Sequence, residues 1–154
     1  MSQFFKTAIE VGTHESYYAL CDAYPFRSEA PRIETSAKNI MAATSGLIPL
    51  EKLSGPGSVY KLLALPDGVG LNFIIQGRQI VETHFRIEAD GITQEGSFAI
   101  LCKDLLQVSG CESRTPPYPR PAFYWLDELI DIFRGFDLII RKLDRGIRSN
   151  LRDL

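Results

Sequence analysis

Glu82, His84, Arg86 and Glu88 recur at every second position, the spacing that sends side chains to one face of a β-strand. Together they suggest a chemistry: a carboxylate orients the imidazole as a general base and the arginine holds an anion. The solvated face of an amphipathic strand produces the same pattern, with opposite charges as favourable neighbours, and this plainer reading takes precedence. His14 and Cys21 form a second pair. On a helix their seven-residue separation puts them on roughly one side, as a Cys–His nucleophile would need. The rise over almost two turns is about 10 Å, beyond direct hydrogen bonding, and a free cysteine is more often a small buried apolar residue.

No other set of reactive residues has a recognisable spacing. Two histidines, no CxxC pair and no HExxH leave no set of metal ligands, and no cofactor is implied. The phosphate-cradling patterns GxGxxG and GxxxxGK[ST] are missing, as is a GxSxG elbow, so Gly55-Pro56-Gly57 and Gly68-Val69-Gly70 read as loop and turn glycines. Cys21, Cys102 and Cys111 are an odd number with no paired spacing, which argues against a disulfide framework and for a reducing cytosol. The N-terminal MSQFFKTAIEVG has neither the apolar run nor the cleavage site of a signal peptide. The longest apolar clusters, such as Leu138 to Ile140, are far shorter than a membrane span, so a cytoplasmic protein is expected. With 17 Lys+Arg against 19 Asp+Glu, the net charge of −2 gives no general attraction to nucleic acid. At 154 residues and 45% hydrophobic content the chain has the size and composition of one globular domain, 1–154, with one core.

The elements that position these residues follow from periodicity and breakers. After an apolar start (Phe4, Phe5, Ile9, Val11), Thr13 is a candidate cap for a helix over roughly 14–24, with Tyr17, Leu20, Cys21 and Tyr24 at helical spacing and Pro25 ending it. Ser28 is a candidate cap for a second helix, with Glu29 and Pro31 in its first turn, Ile33, Ala37, Ile40, Met41 and Thr44 on one face, and Gly46 as its stop. The segment 47–53 is ambiguous, and Ser54-Gly-Pro-Gly57 separates this helical third from a region of period two.

Strands are expected at about 58–65, 69–75, 79–88 and 92–102, joined by Pro66-Asp67-Gly68, Gln76-Gly77 and Asp90-Gly91, with a bulge at Gly96. Three short turns in succession imply an antiparallel meander. Residues 103–111 fit either a fifth strand or a helical turn. The proline-rich 112–121 reads as an extended spacer that carries the chain to the other face of the sheet. From Ala122 the residues Ala122, Leu126, Leu129, Phe133, Phe136, Ile140, Leu143 and Ile147 keep a 4-3-4-3 spacing, one stripe of a helix of about seven turns. Asp127, Glu128 and Asp131 near its start and Arg141, Lys142, Arg145 and Arg148 near its end complement the helix dipole. The expected fold is therefore α+β: two N-terminal helices, a four- or five-stranded antiparallel meander, and a long amphipathic C-terminal helix packed on the sheet.

Two functions follow as expectations. The first is a non-catalytic protein-interaction module of immunity, inhibitor or secretion-chaperone type, binding a protein partner or dimerising, with neither nucleic acid nor membrane as partner. Its basis is the lack of a chemical motif and an apolar excess on the C-terminal helix, where Phe123, Trp125, Ile132, Leu138 and Ile139 flank the main stripe as a candidate interface. The second is a small-molecule pocket, or a small enzyme, between the sheet and that helix. Tyr60, Phe73, Phe85, Phe98, Phe133 and Phe136 are its candidate lining, with His84 or Tyr124 as the polar group.

Overall fold

The computed structural model describes residues 1–30, 35–77 and 79–152. Among them five strands form one antiparallel sheet in the order β1-β2-β3-β4-β5: β1(Leu50–Lys52), β2(Ser58–Leu62), β3(Val69–Gln76), β4(Ile80–Ala89) and β5(Ile92–Gly96). Sequential neighbours pair throughout, so the sheet is the expected meander. β1 falls in the segment whose sequence was ambiguous, and it adds the fifth strand by pairing Leu50 with Leu62.

Two turns explain the register. At Gly68 φ is +79°, and an added Cβ would stand 2.6 Å from the Glu88 carbonyl oxygen. Only glycine allows that approach, and Glu88 N donates to Gly68 O to lock it. Asp90 and Gly91 both have positive φ, 54° and 74°, the requirement of a two-residue hairpin whose twist matches its strands. The side-chain alternation of β4 is realised in full. Val81, Thr83, Phe85 and Ile87 are buried, whereas His84, Arg86 and Glu88 are exposed on the opposite face and Glu82 is half-buried.

The apolar N-terminal start is a helix, α1(Gln3–Glu10), because Ser2 caps it by accepting from Phe5 N. α2(Thr13–Ala23) matches the expected 14–24 closely, although Gly12, at φ 72°, takes the cap position in place of Thr13. α3(Ala37–Thr44) starts later than expected, because Ser36, not Ser28, caps it through Asn39 N. Ser28 and Glu29 lie in a turn, and the expected first turn around Pro31 and Ile33 falls outside the described residues.

The reading of 92–102 as one strand is corrected. The strand ends at Gly96, and α4(Phe98–Val108) begins at once, with Ser97 Oγ accepting from Ala99 N and Ile100 N. Phe98, Leu101, Cys102 and Leu105 are buried at 3-1-3 spacing, a helical face that the unbroken apolar run disguised as a strand. The same finding settles the undecided 103–111, which is helical as far as Val108.

α5(Leu126–Arg152) is one continuous helix of 27 residues, about 40 Å long, crossing β3 and β4. It starts four residues after the expected Ala122. Pro121, Ala122 and Phe123 instead lie as a bridge beside β4: Val81 N donates to Pro121 O, Phe123 N donates to Gln79 O, and Ala122 opposes Ile80. The proline-rich spacer does not change faces. Phe98 of α4 stacks on Phe85 of β4 at 4.7 Å and on Phe136 of α5 at 5.9 Å, so both helices share the sheet face opposite His84.

The breadth of apolar surface on α5 has an internal explanation. One side meets the sheet, where Phe133 stacks on Phe73 at 4.2 Å. Another meets α1 and α2 at two glycines, with the Cβ position of Gly135 against Leu20 and that of Gly146 against Val11 and Thr7. α3 closes a further side. A helix packed on several sides reads as apolar all round.

Candidate functional site

The strand row that looked most chemical is divided among separate partners. His84 Nε2 lies 3.8 Å from Glu95 Oε2, and Arg86 pairs with Glu88 at 3.2 Å, both on the open face of the sheet. Glu82 turns toward the start of α4, where its Oε1 accepts from Ser97 Oγ at 3.0 Å and from Thr83 N at 2.8 Å, and its Oε2 meets Arg120 Nη1 at 3.3 Å. Glu82 therefore supports the β5–α4 corner and does not orient His84.

Cys21 donates to Pro119 O at 3.6 Å, and Tyr17 Oη donates to the same carbonyl at 2.6 Å. Burial pushes the Cys21 thiol up to about 12, so it stays protonated and unreactive at neutral pH. Burial raises the Tyr17 hydroxyl as well, chiefly by desolvation and then by the neighbouring Cys21. His14 is buried and is not the thiol's partner. The spacer that supplies Pro119 is fastened at both ends, by an Arg114–Asp22 ion pair and by Arg120 on Glu82 and Gln76. A cleft of about 460 Å³ runs between it and α2, but both arginines that face it are already neutralised.

The aromatic residues expected to line a pocket pack on each other. Phe73, Phe85, Phe98 and Phe133 are at most 2% exposed, and the 4.2 Å and 4.7 Å ring contacts leave no room for a ligand between them. Tyr60 and Phe136 are likewise buried. Tyr124 is engaged elsewhere: its hydroxyl accepts from Arg27 N at 2.6 Å and donates to Arg27 O at 3.0 Å, with the Arg27 guanidinium 4.4 Å above its ring. His84 lies on the other side of the sheet, so these residues do not converge.

The expected interface divides in the same way. Phe123, Ile132 and Ile139 are interior, whereas Trp125 and Leu138 are 67% and 68% exposed. Thirteen residues separate these two, about 20 Å along the helix axis and well round its circumference, so they form no common patch. Leu138 stands alone among exposed Asp131, Arg134, Lys142 and Arg145.

An apolar groove lies elsewhere on the molecule. Phe4 of α1, Ile87 and Ala89 of β4, Ile92 of β5, and Ile147 and Leu151 of α5 line a half-open groove of about 250 Å³. Gln3, Gln94 and Asn150 are among its polar lining residues, and Asn150 Nδ2 donates to Thr7 Oγ1 at 2.6 Å, tying the last turn of α5 to α1. Among the described residues, none of the lining side chains is ionisable. Ile92 is 59% exposed at the lip.

The groove borders an open strand edge. Ala89 and Ile92 flank the two-residue turn and therefore exchange hydrogen bonds, as do Ile87 with Gln94 and Phe85 with Gly96. By alternation the N–H and C=O groups of Thr93 and Glu95 point outward, and β5 is the last strand of the sheet. Sequence reasoning passed over this place because its walls come from three distant segments, α1, the β4–β5 hairpin and the end of α5. One signal was available: Ile92 is the single large apolar residue in the otherwise polar strand Ile-Thr-Gln-Glu-Gly, directly after Asp-Gly.

Among the described residues, no group of three or more His, Cys, Asp or Glu is placed to hold a metal ion. No helix among them is long and apolar enough to cross a membrane. The chain matches no protein-family model, and comparison with characterised proteins and with solved structures returns no significant match.

Proposed function

We propose that the chain is a non-catalytic protein-interaction module that holds an extended segment of a protein partner along the edge of β5. The observation that carries this reading is the conjunction of an open strand edge with an apolar groove that, among the described residues, is free of ionisable groups. An added strand gains main-chain hydrogen bonds from the edge and specificity from side chains facing the groove, which is the logic of β-augmentation. Among the described residues the lining holds no acid or base beside the Ser2 and Thr7 hydroxyls, which supports binding over proton transfer or covalent catalysis.

The groove also supports a second reading, in which it holds a small apolar ligand. Its volume of about 250 Å³ is below the usual range of roughly 300–1,000 Å³ for ligand pockets, which favours an aliphatic side chain as the occupant. Site-specific photocrosslinking in the cells that make the protein separates the readings. A photoreactive residue at position 93 is expected to yield one discrete heavier adduct, and the same residue at the exposed position 138 none. Equal labelling from both positions, or no adduct from position 93, refutes docking at the edge.

A further inference from the structure

We infer that the segment docked on β5 carries a basic–aliphatic–any–aliphatic pattern, read from the residue opposite Glu95 to the residue opposite Ile92. This inference rests on the docking reading above and specifies the partner chemistry at the same edge. Side chains of successive strand residues alternate between faces, so Ile92 and Gln94 face the groove while Thr93 and Glu95 share the open face with His84 and Arg86.

The inner-face positions set the aliphatic pair. A residue directly opposite Ile92 on an added strand has its Cβ about 5 Å away, close enough for a branched aliphatic side chain to cover the 59% of Ile92 that is exposed. The position opposite Gln94 lies on the same face, beside the same apolar lining. A charged side chain at either position would be desolvated against a groove with no ionisable partner among the described residues.

The outer face sets the basic residue. Glu95 is the one charged side chain of β5. Arg86 stands opposite it in register but is drawn to Glu88 at 3.2 Å, and the side chain of Glu95 remains 55% exposed with the His84 imidazole at 3.8 Å. Arg86, Glu88 and Glu95 together leave one net negative charge at this edge. A lysine or arginine on the added strand opposite Glu95 complements it, and an acidic residue there is repelled. Reading the partner from the position opposite Glu95 toward the position opposite Ile92 gives basic, aliphatic, any, aliphatic.

The test pans a display library of random ten-residue peptides against the full chain, then measures a synthetic copy of the most enriched peptide. Enrichment of the stated pattern is expected, with the peptide shifting the Thr93 and Glu95 amide resonances. Thr93→Pro removes an outward N–H without deleting a hydrogen bond to β4, and is expected to abolish binding while the rest of the spectrum is kept. Glu95→Lys, which alters no backbone group, is expected to weaken binding by about tenfold and to select acidic residues at the matching position on repanning.

Enriched peptides that lack the alternation, or that shift resonances away from β5, overturn the pattern. If position 93 still crosslinks to a protein, the docking reading survives that result. A dimer that dissociates in Thr93→Pro assigns the edge to a second copy of the chain and overturns the proposal. Failure of both the panning and the crosslinking removes the docking reading with it.

Discussion

Replacing Phe133 by alanine is expected to destabilise the chain by about 3–5 kcal/mol, the usual range for a fully buried phenylalanine. Phe133 has no exposed surface, and its ring lies 4.2 Å from that of Phe73, where α5 crosses the sheet. Phe73 also touches Phe136, which joins Phe98 and Phe85, so the vacancy would open at one end of a continuous aromatic stack. The surrounding rings are held by both the sheet and α4 and collapse poorly into such a space. For a chain of this length the loss corresponds to a fall in Tm of about 10 °C or more. Phe133→Leu, which keeps most of the volume, is expected to lose well under half as much. Urea denaturation of the two variants checks this, and an unchanged midpoint for Phe133→Ala would remove the stack from the core.

Arg148→Ala is expected to cost about 2–3 kcal/mol, just below the range for breaking a fully buried ion pair because Arg148 itself is partly exposed. Asp144 is 3% exposed, and its carboxylate accepts from Arg148 Nε at 2.7 Å. The same guanidinium donates through Nη2 to the Asp67 carbonyl at 2.8 Å, fastening the end of α5 to the β2–β3 turn. Removing the arginine strands a carboxylate in the interior and frees that turn together. Arg141 provides the contrast. It holds Asp137 with the same 2.7 Å geometry, but both side chains are 33% exposed, and Arg141→Ala is expected to cost less than about 1 kcal/mol. Denaturation of the two alanine variants side by side tests whether burial, and not the i,i+4 spacing they share, sets the difference.

The elements legible in the sequence were those whose signals are local. The meander could be read because Pro66-Asp67-Gly68 and Asp90-Gly91 name their own turns and because β4 alternates without a break. α5 could be read because its stripe persists for seven turns with charges ordered along the dipole. α4 was misread because Phe98-Ala-Ile-Leu-Cys102 is apolar at every position, so period two and period 3.6 fit it equally until Ser97 is recognised as a cap. α1 was overlooked as a helix for a related reason, being eight residues with Ser2 as its only capping signal.

The site was less legible than the fold. Glu82 and His84 stood out by type, yet their partners, Ser97, Arg120 and Glu95, could be assigned only once the β4–β5 hairpin and the spacer were placed. Trp125 and Leu138 stood out as surplus apolar residues, but helical phase alone does not say which sides of α5 have neighbours. The groove depends on Phe4, Ile92 and Leu151 meeting across nearly the whole chain, a relation that no local pattern encodes.

Docking at β5 requires its edge to be open in the free protein, and backbone amide hydrogen exchange resolved by NMR measures that residue by residue. Ile92, Gln94 and Gly96 are expected to be protected by β4, and Thr93 and Glu95 between them to exchange at close to the rate of an unstructured chain. Protection of Thr93 and Glu95 equal to that of their neighbours would mean the edge is already covered, and would contradict docking there.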